Sequence, residues 1–321
     1  MLSRGGRADA KTRSGEPMAR QIAGIDHAII GVRNLEQARA SYERLGFQAT
    51  PRGRHVGWGT ANYCLMFAND YLELLGIVDP TQFTNDLERF LAEREGLLAV
   101  ALRTTDPEAT QAAWQQAGLE PAEVAALGRR LEPDLELRFA NVMLAPAATG
   151  GVRLFACSHL TPEAMRQAAW LRHPNGARGI ASVTIAVDDP DTFQAPMAQV
   201  FGSICLTQTD DTLAVHTGHG VLLFVTPDDL DMLHPELEAI ATDAADGTPT
   251  LAALSLMVGD LAATAGWLDH QGIAYRRDSS GTIGVPPEHT HGVMLEFVAA
   301  GPGESWPAEP AERLTPGSSA P

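Results

Sequence analysis

Residues 24–47 read GIDHAIIGVRNLEQARASYERLGF, and the way this stretch divides decides the fold. Ile25 to Val32 is a short, apolar, β-branched run of the kind that forms a buried strand. Asn34-Leu35 makes a turn, Ala38, Tyr42 and Leu45 recur at helical spacing, and Gly46 follows as a helix-ending glycine. The same succession opens three more times, as GLLAVALRTTDP from Gly96, GIASVTIAVDDP from Gly179 and TLAALSLMVGDL from Thr250. These openings start 72, 83 and 71 residues apart, which marks an internal repeat. A helical stretch follows each and ends at Gly46, Gly118, Gly202 or Gly272, with 11 residues from turn to glycine in three of the four copies.

Beyond each glycine the pattern changes to short β-rich runs, and each copy closes on an apolar strand: YLELLGIV, GGVRLFAC, HGVLLFVT and HGVMLEFV. Strand, helix and then two or three strands describe an α+β fold of four tandem βαβββ modules. One such unit leaves an apolar sheet face uncovered, so the modules must pair into cupped, mixed sheets. The expected organisation is a first half over 23–158, with modules at about 24–80 and 96–158. A linker over 159–178 follows, containing a capped helix from Thr161 and a His173-Pro174-Asn175-Gly176 turn. The second half runs over 179–299, with modules at about 179–227 and 250–299 and an acidic helix between them. Residues 1–22 and the Pro-, Gly- and Ser-rich tail 300–321 have too few apolar residues to bury and are expected to be disordered.

Bulk properties remove several function classes. A formal charge of −17 opposes binding to nucleic acid or an anionic membrane. No apolar run approaches the length needed to span a bilayer. The single lysine, Lys11, lies in the N-terminal extension, which excludes Schiff-base, lysine-anchored PLP and P-loop chemistry from the folded part. Cys64, Cys157 and Cys205 are far apart in apolar runs and read as buried thiols in a reducing, cytoplasmic setting. The N-terminus lacks the apolar core of a secretory signal. A small-molecule partner remains, and the sequence is compatible with a homodimer.

Two segments carry a family resemblance. IDHAIIGVRNLEQARASYERLGF resembles the opening of vicinal-oxygen-chelate proteins, whose first strand carries a His followed by a V-x-D/N-L turn. RGRHVGWGTANYCLMFANDYLELLGIVDP is similar to a glyoxalase-like subgroup marked by a His, then GTAN, then YLELL. VPPEHTHGVMLEF in the fourth copy resembles the closing strand of epimerase- and glyoxalase-type members. The resemblance implies a barrel-like sheet that holds a divalent metal on the first and last strands of paired modules, chelating vicinal oxygens of a small molecule. The family includes isomerases, lyases, ring-cleaving dioxygenases and metal-free drug-binding proteins, so the fold does not choose among them.

Carried onto this chain, the first ligand position falls on His27, Ala99, Ser182 and Ala253, and the second on Glu73, Phe155, Phe224 and Glu296. A carboxylate inside an apolar strand is costly to bury unless paired, protonated or bound to metal, although strand alternation also allows it to face solvent. Pairing of module one with two and three with four separates Glu296 from His27 and Glu73. Pairing of the outer modules would instead join all three as metal ligands. His55 and the tip Trp58-Gly59-Thr60-Ala61-Asn62 form a second candidate cluster, read either as a rim of catalytic and substrate contacts or as a plain turn.

The resulting expectation is a metal-dependent lyase, isomerase or dioxygenase acting on a small oxygen-rich molecule. His27, Glu73 and Glu296 would be ligands for Fe, Mn, Zn or Ni, and His55 and Glu296 the catalytic groups. Trp58, Thr60, Asn62 and Arg54 would contact substrate, with Arg33 and Arg52 as further basic residues beside the cup. The alternative is a metal-free binding or sequestering protein whose apolar cup is lined by Trp58, Tyr63, Phe155 or Phe224. His216, His219, His289 and His291 read as hairpin residues and His173 as structural.

Overall fold

A computed structural model describes residues 21–209, 211–234 and 248–300. Of the expected extensions 1–22 and 300–321, residues 1–20 and 301–321 lie outside the described residues, as does most of the acidic stretch before Thr250, while Ile22 is buried in the core.

The first module comprises β1 (Ile25–Gly31), α1 (Leu35–Arg44), β2 (Gly53–His55), β3 (Thr60–Met66) and β4 (Tyr71–Ile77). A connecting helix α2 (Leu87–Glu93) leads to the second, with β5 (Gly96–Arg103), α3 (Pro107–Gln116), β6 (Ala125–Leu131), β7 (Leu135–Met143) and β8 (Leu154–His159). The spacer holds one turn of helix, α4 (Pro162–Met165), before β9 (Ala177–Ala186). The expected Thr161 cap does not form, because that hydroxyl accepts from the Arg138 amide across the sheet. The third module continues with α5 (Gln194–Phe201), β10 (Leu206–Thr209), β11 (Thr212–His216) and β12 (Val221–Val225). Helix α6 (Pro227–Leu233) follows it, and the fourth module is β13 (Thr250–Val258), α7 (Leu261–His270), β14 (Arg276–Arg277), β15 (Ile283–Val285) and β16 (Met294–Ala299).

The repeated D/N turn has a local cause. Asn34, Asp106 and Asp260 each accept a backbone N–H of the following helix, from Gln37, Ala109 and Ala262 at 2.8–3.0 Å. The glycines that close the four helices, Gly46, Gly118, Gly202 and Gly272, all have positive φ.

Modules pair one with two and three with four. In each half the two first strands run antiparallel at the centre, β1 on β5 and β9 on β13, and each closing strand lies parallel to its module's first strand. The first sheet has the order β1-β4-β3-β2-β6-β7-β8-β5 and closes into a barrel, because β2 pairs with β6 through Gly53–Leu131, Arg54–Arg130 and His55–Arg129. The second, β10-β11-β12-β9-β13-β16-β15-β14, stays open. Outer-module pairing is thereby overturned: β16, which carries Glu296, neighbours β13 and β15 and not β1.

Strand alternation sorts the side chains of the barrel. Ala28, Ile30, Leu72, Leu74 and Leu65 face an apolar core shared with the second half, including Ile180, Val183, Leu254 and Phe297. Ile29, Tyr71, Leu75, Cys64, Phe139 and Phe155 face the barrel interior. The halves are tied by buried polar contacts: Asp70 accepts the Ile180 amide at 3.0 Å and contacts His219 Nε2 at 2.7 Å, and Tyr42 donates to Thr290 O at 3.0 Å. His173 is structural, its Nδ1 accepting from the Gln48 amide and its Nε2 donating to Met66 O.

A candidate active site inside the first barrel

Two centres of the first module meet in the barrel interior. His27 on β1 and Glu73 on β4 share the inward parity, and β2 alternates Gly53 in, Arg54 out, His55 in. Glu73 lies between two imidazoles, with Oε2 at 3.5 Å from His27 Nε2 and Oε1 at 3.6 Å from His55 Nε2. Asn62 on β3 donates from Nδ2 to Glu73 Oε1 at 2.5 Å. His55 Nδ1 is held by the Thr60 hydroxyl at 2.8 Å. All five residues are buried.

Asp26 is the residue that sequence reasoning missed. Alternation would point it away from His27, but the β1–β5 register slips between Ile25 and His27, and this bulge turns both side chains to one place. Asp26 Oδ2 lies 2.7 Å from His27 Nδ1 and 2.9 Å from His159 Nε2. An ionised carboxylate only accepts, so both rings donate to it, and a neutral His27 then presents a bare Nε2 lone pair toward Glu73. Tyr71 stacks on the His27 ring at 4.4 Å between centroids and fixes its plane.

The electrostatics keep these donors in ligand form. Burial alone would raise the Glu73 pKa, but His55, His27, Arg129 and the Asn62 hydrogen bond together hold it below the usual carboxylate range. Burial likewise opposes ionisation of Asp26, and His159 and His27 overcome it. Burial pushes His55 down to about 4 against the opposing pull of Glu73, so its ring is neutral near pH 7.

A cavity of about 510 Å³ opens onto this cluster, lined by His27, His55, Glu73, Trp58 and Thr60 and walled by apolar side chains such as Leu98, Phe139 and Phe155. The expected contacts divide accordingly. Trp58 and Thr60 line the cavity, while Asn62 supports Glu73 from behind. Arg54 is exposed and borders a second, smaller surface pocket that shares His55 and Trp58 with the first. Arg52 pairs with Glu36, and Arg33 donates to Leu91 O. Glu296 accepts from Ser255 at 2.8 Å and lies 2.7 Å from His234 Nδ1, so in the second half it is neither a ligand nor a catalytic partner of His27. Tyr63 faces outward to Glu36, and Phe224 stacks on Phe193 in the shared core.

Two donor sets merit comparison for a divalent cation. Ligand atoms of Asp26, His27 and Cys157 lie within 4.8 Å of one another. That set is chemically poor: burial, then Asp26 and Glu73, hold the Cys157 thiol protonated, and Asp26 Oδ2 is already shared by two rings. His27 Nε2, Glu73 and His55 Nε2 are better suited. His27 Nδ1, Glu73 Oε1 and His55 Nδ1 are engaged by Asp26, Asn62 and Thr60, His55 Nε2 has a long 3.5 Å contact with Asn62 Nδ2, and His27 Nε2 and Glu73 Oε2 face each other at 3.5 Å. Two imidazoles and a carboxylate are of the right chemical type for a divalent ion, but unlike the Asp26 set their ligand atoms do not all lie within 4.8 Å of one another.

Paired βαβββ modules around an enclosed His/Glu cluster define a protein of the vicinal-oxygen-chelate type. Residues 25–201 match the sequence profile of the glyoxalase-like domain, and the chain belongs to that family. No curated protein sequence matches it. Among solved structures it resembles a hypothetical protein from Staphylococcus aureus at 11% identity and TM-score 0.62, covering 86% of this chain and 99% of that one. A triple mutant of 4-hydroxymandelate synthase from Streptomyces coelicolor aligns at 14% identity and TM-score 0.56, over 87% and 93% of the two chains. A xylose isomerase-like TIM barrel/4-hydroxyphenylpyruvate dioxygenase fusion protein aligns at 16% identity and TM-score 0.53, over 92% of this chain and 53% of that one. At these identities the likeness is one of fold. Among the described residues no helix is long and apolar enough to cross a membrane.

Proposed function

We propose that the first barrel is the active site of a divalent-metal-dependent enzyme acting on a small oxygen-rich molecule, with His27, Glu73 and His55 as the protein ligands. The observation that carries this reading is Glu73 set between two Nε2 atoms at 3.5 and 3.6 Å, each ring oriented by a second partner. Three protein ligands leave positions open for substrate oxygens, and a bound cation would supply Lewis-acid polarisation of those oxygens. With a pKa near 4, His55 is better suited to ligation than to taking a proton at neutral pH. Asp26 fixes the tautomer of His27, Trp58 and Thr60 contact substrate at the rim, and Leu98, Phe139 and Phe155 exclude water.

Metal analysis of protein purified without chelator tests this. Less than about 0.2 equivalents, with no uptake of Fe²⁺, Mn²⁺, Zn²⁺ or Ni²⁺, overturns it. A metal-free binding protein is favoured instead by Ala99 and Phe155, which place no ligand on the second module. Normal binding of a cavity ligand by a His27→Ala variant would select that reading.

A further inference from the structure

Arg129 on β6 is among the largest fully buried side chains, 1% exposed, and it borders the cavity. A buried guanidinium is stable only when its N–H groups meet acceptors and its charge meets an anion. Here Nη1 donates to Cys64 Sγ at 3.0 Å and Nη2 to Met165 Sδ at 3.6 Å, both weak sulfur acceptors, and Nε has no partner. No described carboxylate forms an ion pair with Arg129. Glu73 feels the Arg129 charge but takes its hydrogen bond from Asn62 instead.

The guanidinium is nonetheless held in place. It lies over the Phe139 ring at 5.3 Å, which fixes the plane of its donor fork, and Arg129 is the cross-strand partner of His55. A group bound to Arg129 therefore sits beside the His55–Glu73–His27 cluster. Glu73 is taken up by Asn62 and the two imidazoles, and Asp26 by His27 and His159, so the Arg129 charge is left for a monoanion in the cavity.

We propose that the cavity takes a small monocarboxylate with an apolar or aromatic body, anchored through its carboxylate by Arg129. This rests on the reading of the barrel as a ligand site, and it sets the substrate class. Arg129 is a binding residue here, since two parallel N–H donors match the two carboxylate oxygens.

Calorimetric titration with phenylacetate and with its uncharged analogue phenylacetamide tests the anchor. The wild-type protein is expected to bind the acid at least about tenfold more tightly than the amide. Arg129→Met should bring the two to parity, with Arg129→Lys intermediate. Equal binding of acid and amide by the wild type, no binding of either at millimolar concentration, or a preference that survives in Arg129→Met overturns the proposal. Should Arg129→Met fail to fold, the wild-type ratio and Arg129→Lys decide. Repeating the titration after chelation separates this from the metal assignment. A preference that persists without metal upholds the anchor even where the metal reading fails. A preference that vanishes on chelation yet is unchanged in Arg129→Lys assigns the carboxylate to the cation and overturns the anchor.

Discussion

Replacing Asp26 by Asn keeps the shape of the side chain and removes its charge, so the consequence can be worked through atom by atom. Both rings meet the same oxygen, Oδ2, at 2.7 and 2.9 Å, and Oδ1 is buried without a partner. An amide oxygen at the Oδ2 position still accepts from both rings, more weakly, and the N–H₂ falls at the unpartnered Oδ1 position. The pull that holds the His27 proton on Nδ1 is thereby weakened, and the Nε2 tautomer, with Glu73 Oε2 at 3.5 Å, gains population where a cation needs a lone pair. Losing the charge assistance of these two bonds costs about 2 to 3 kcal/mol of stability. Loss of the orienting carboxylate weakens metal binding about 10- to 100-fold. Urea unfolding measures the first effect and competition against a chromophoric chelator the second, with imidazole ¹⁵N shifts reporting the tautomer. Metal affinity within about twofold of wild type, alongside the expected stability loss, would show that Asp26 is structural only.

Three other outcomes follow from the same geometry. The folded state holds His55 neutral down to about pH 4 while the unfolded chain protonates below its ordinary 6.5, so stability falls as pH drops through that window. Between pH 7.5 and 5 the loss from this group is about 2 kcal/mol, and it should vanish from the urea-unfolding difference when His55→Gln is compared with wild type. Glu73→Gln should abolish measurable metal uptake, because the cluster loses its only carboxylate between the two rings. Glu296→Gln should leave metal content in the first barrel unchanged and lower stability by about 1 to 3 kcal/mol, its Ser255 and His234 contacts being local to the second sheet.

Much of the architecture is legible in the chain because its cues are local. An Asx residue that caps a helix and a glycine that ends it act within a few residues, and their fourfold recurrence marks the modules without tertiary information. His27 and Glu73 could be singled out because a titratable residue in an apolar strand is conspicuous. The partnership of modules is a long-range property, and nothing in β16 itself says that its neighbour is β13 and not β1, so Glu296 was assigned to a cluster it does not join. Asp26 was invisible for a different reason: strict alternation puts it on the wrong face, and the bulge that reverses this is set by the register of β5. Arg129 did carry a signal. In Leu127-Gly128-Arg129-Arg130-Leu131 it shares the parity of the two leucines, and a charge at an inward position of an amphipathic strand is the mark of a buried, purposeful cation.

The two halves share one topology yet only the first closes into a barrel, and the difference lies in three residue pairs. Gly53, Arg54 and His55 seal the first sheet against Leu131, Arg130 and Arg129. That closure is also what sets His55 opposite Arg129, so the strand contact that makes the barrel delivers both an imidazole and a guanidinium to its interior. In the second sheet β14 is only two residues long and β10 lies at the opposite edge, leaving the sheet open. Closure raises the stakes of every charge inside, because removal from water strengthens each electrostatic contact and penalises each unpaired one. The first half accepts that cost at Asp26, Glu73 and Arg129, while the second buries Glu296 beside Ser255 and His234. An interior that retains buried charge with partners still wanting, as Arg129 does, is built around something that completes it, and the sealed β2–β6 seam is what makes such completion selective.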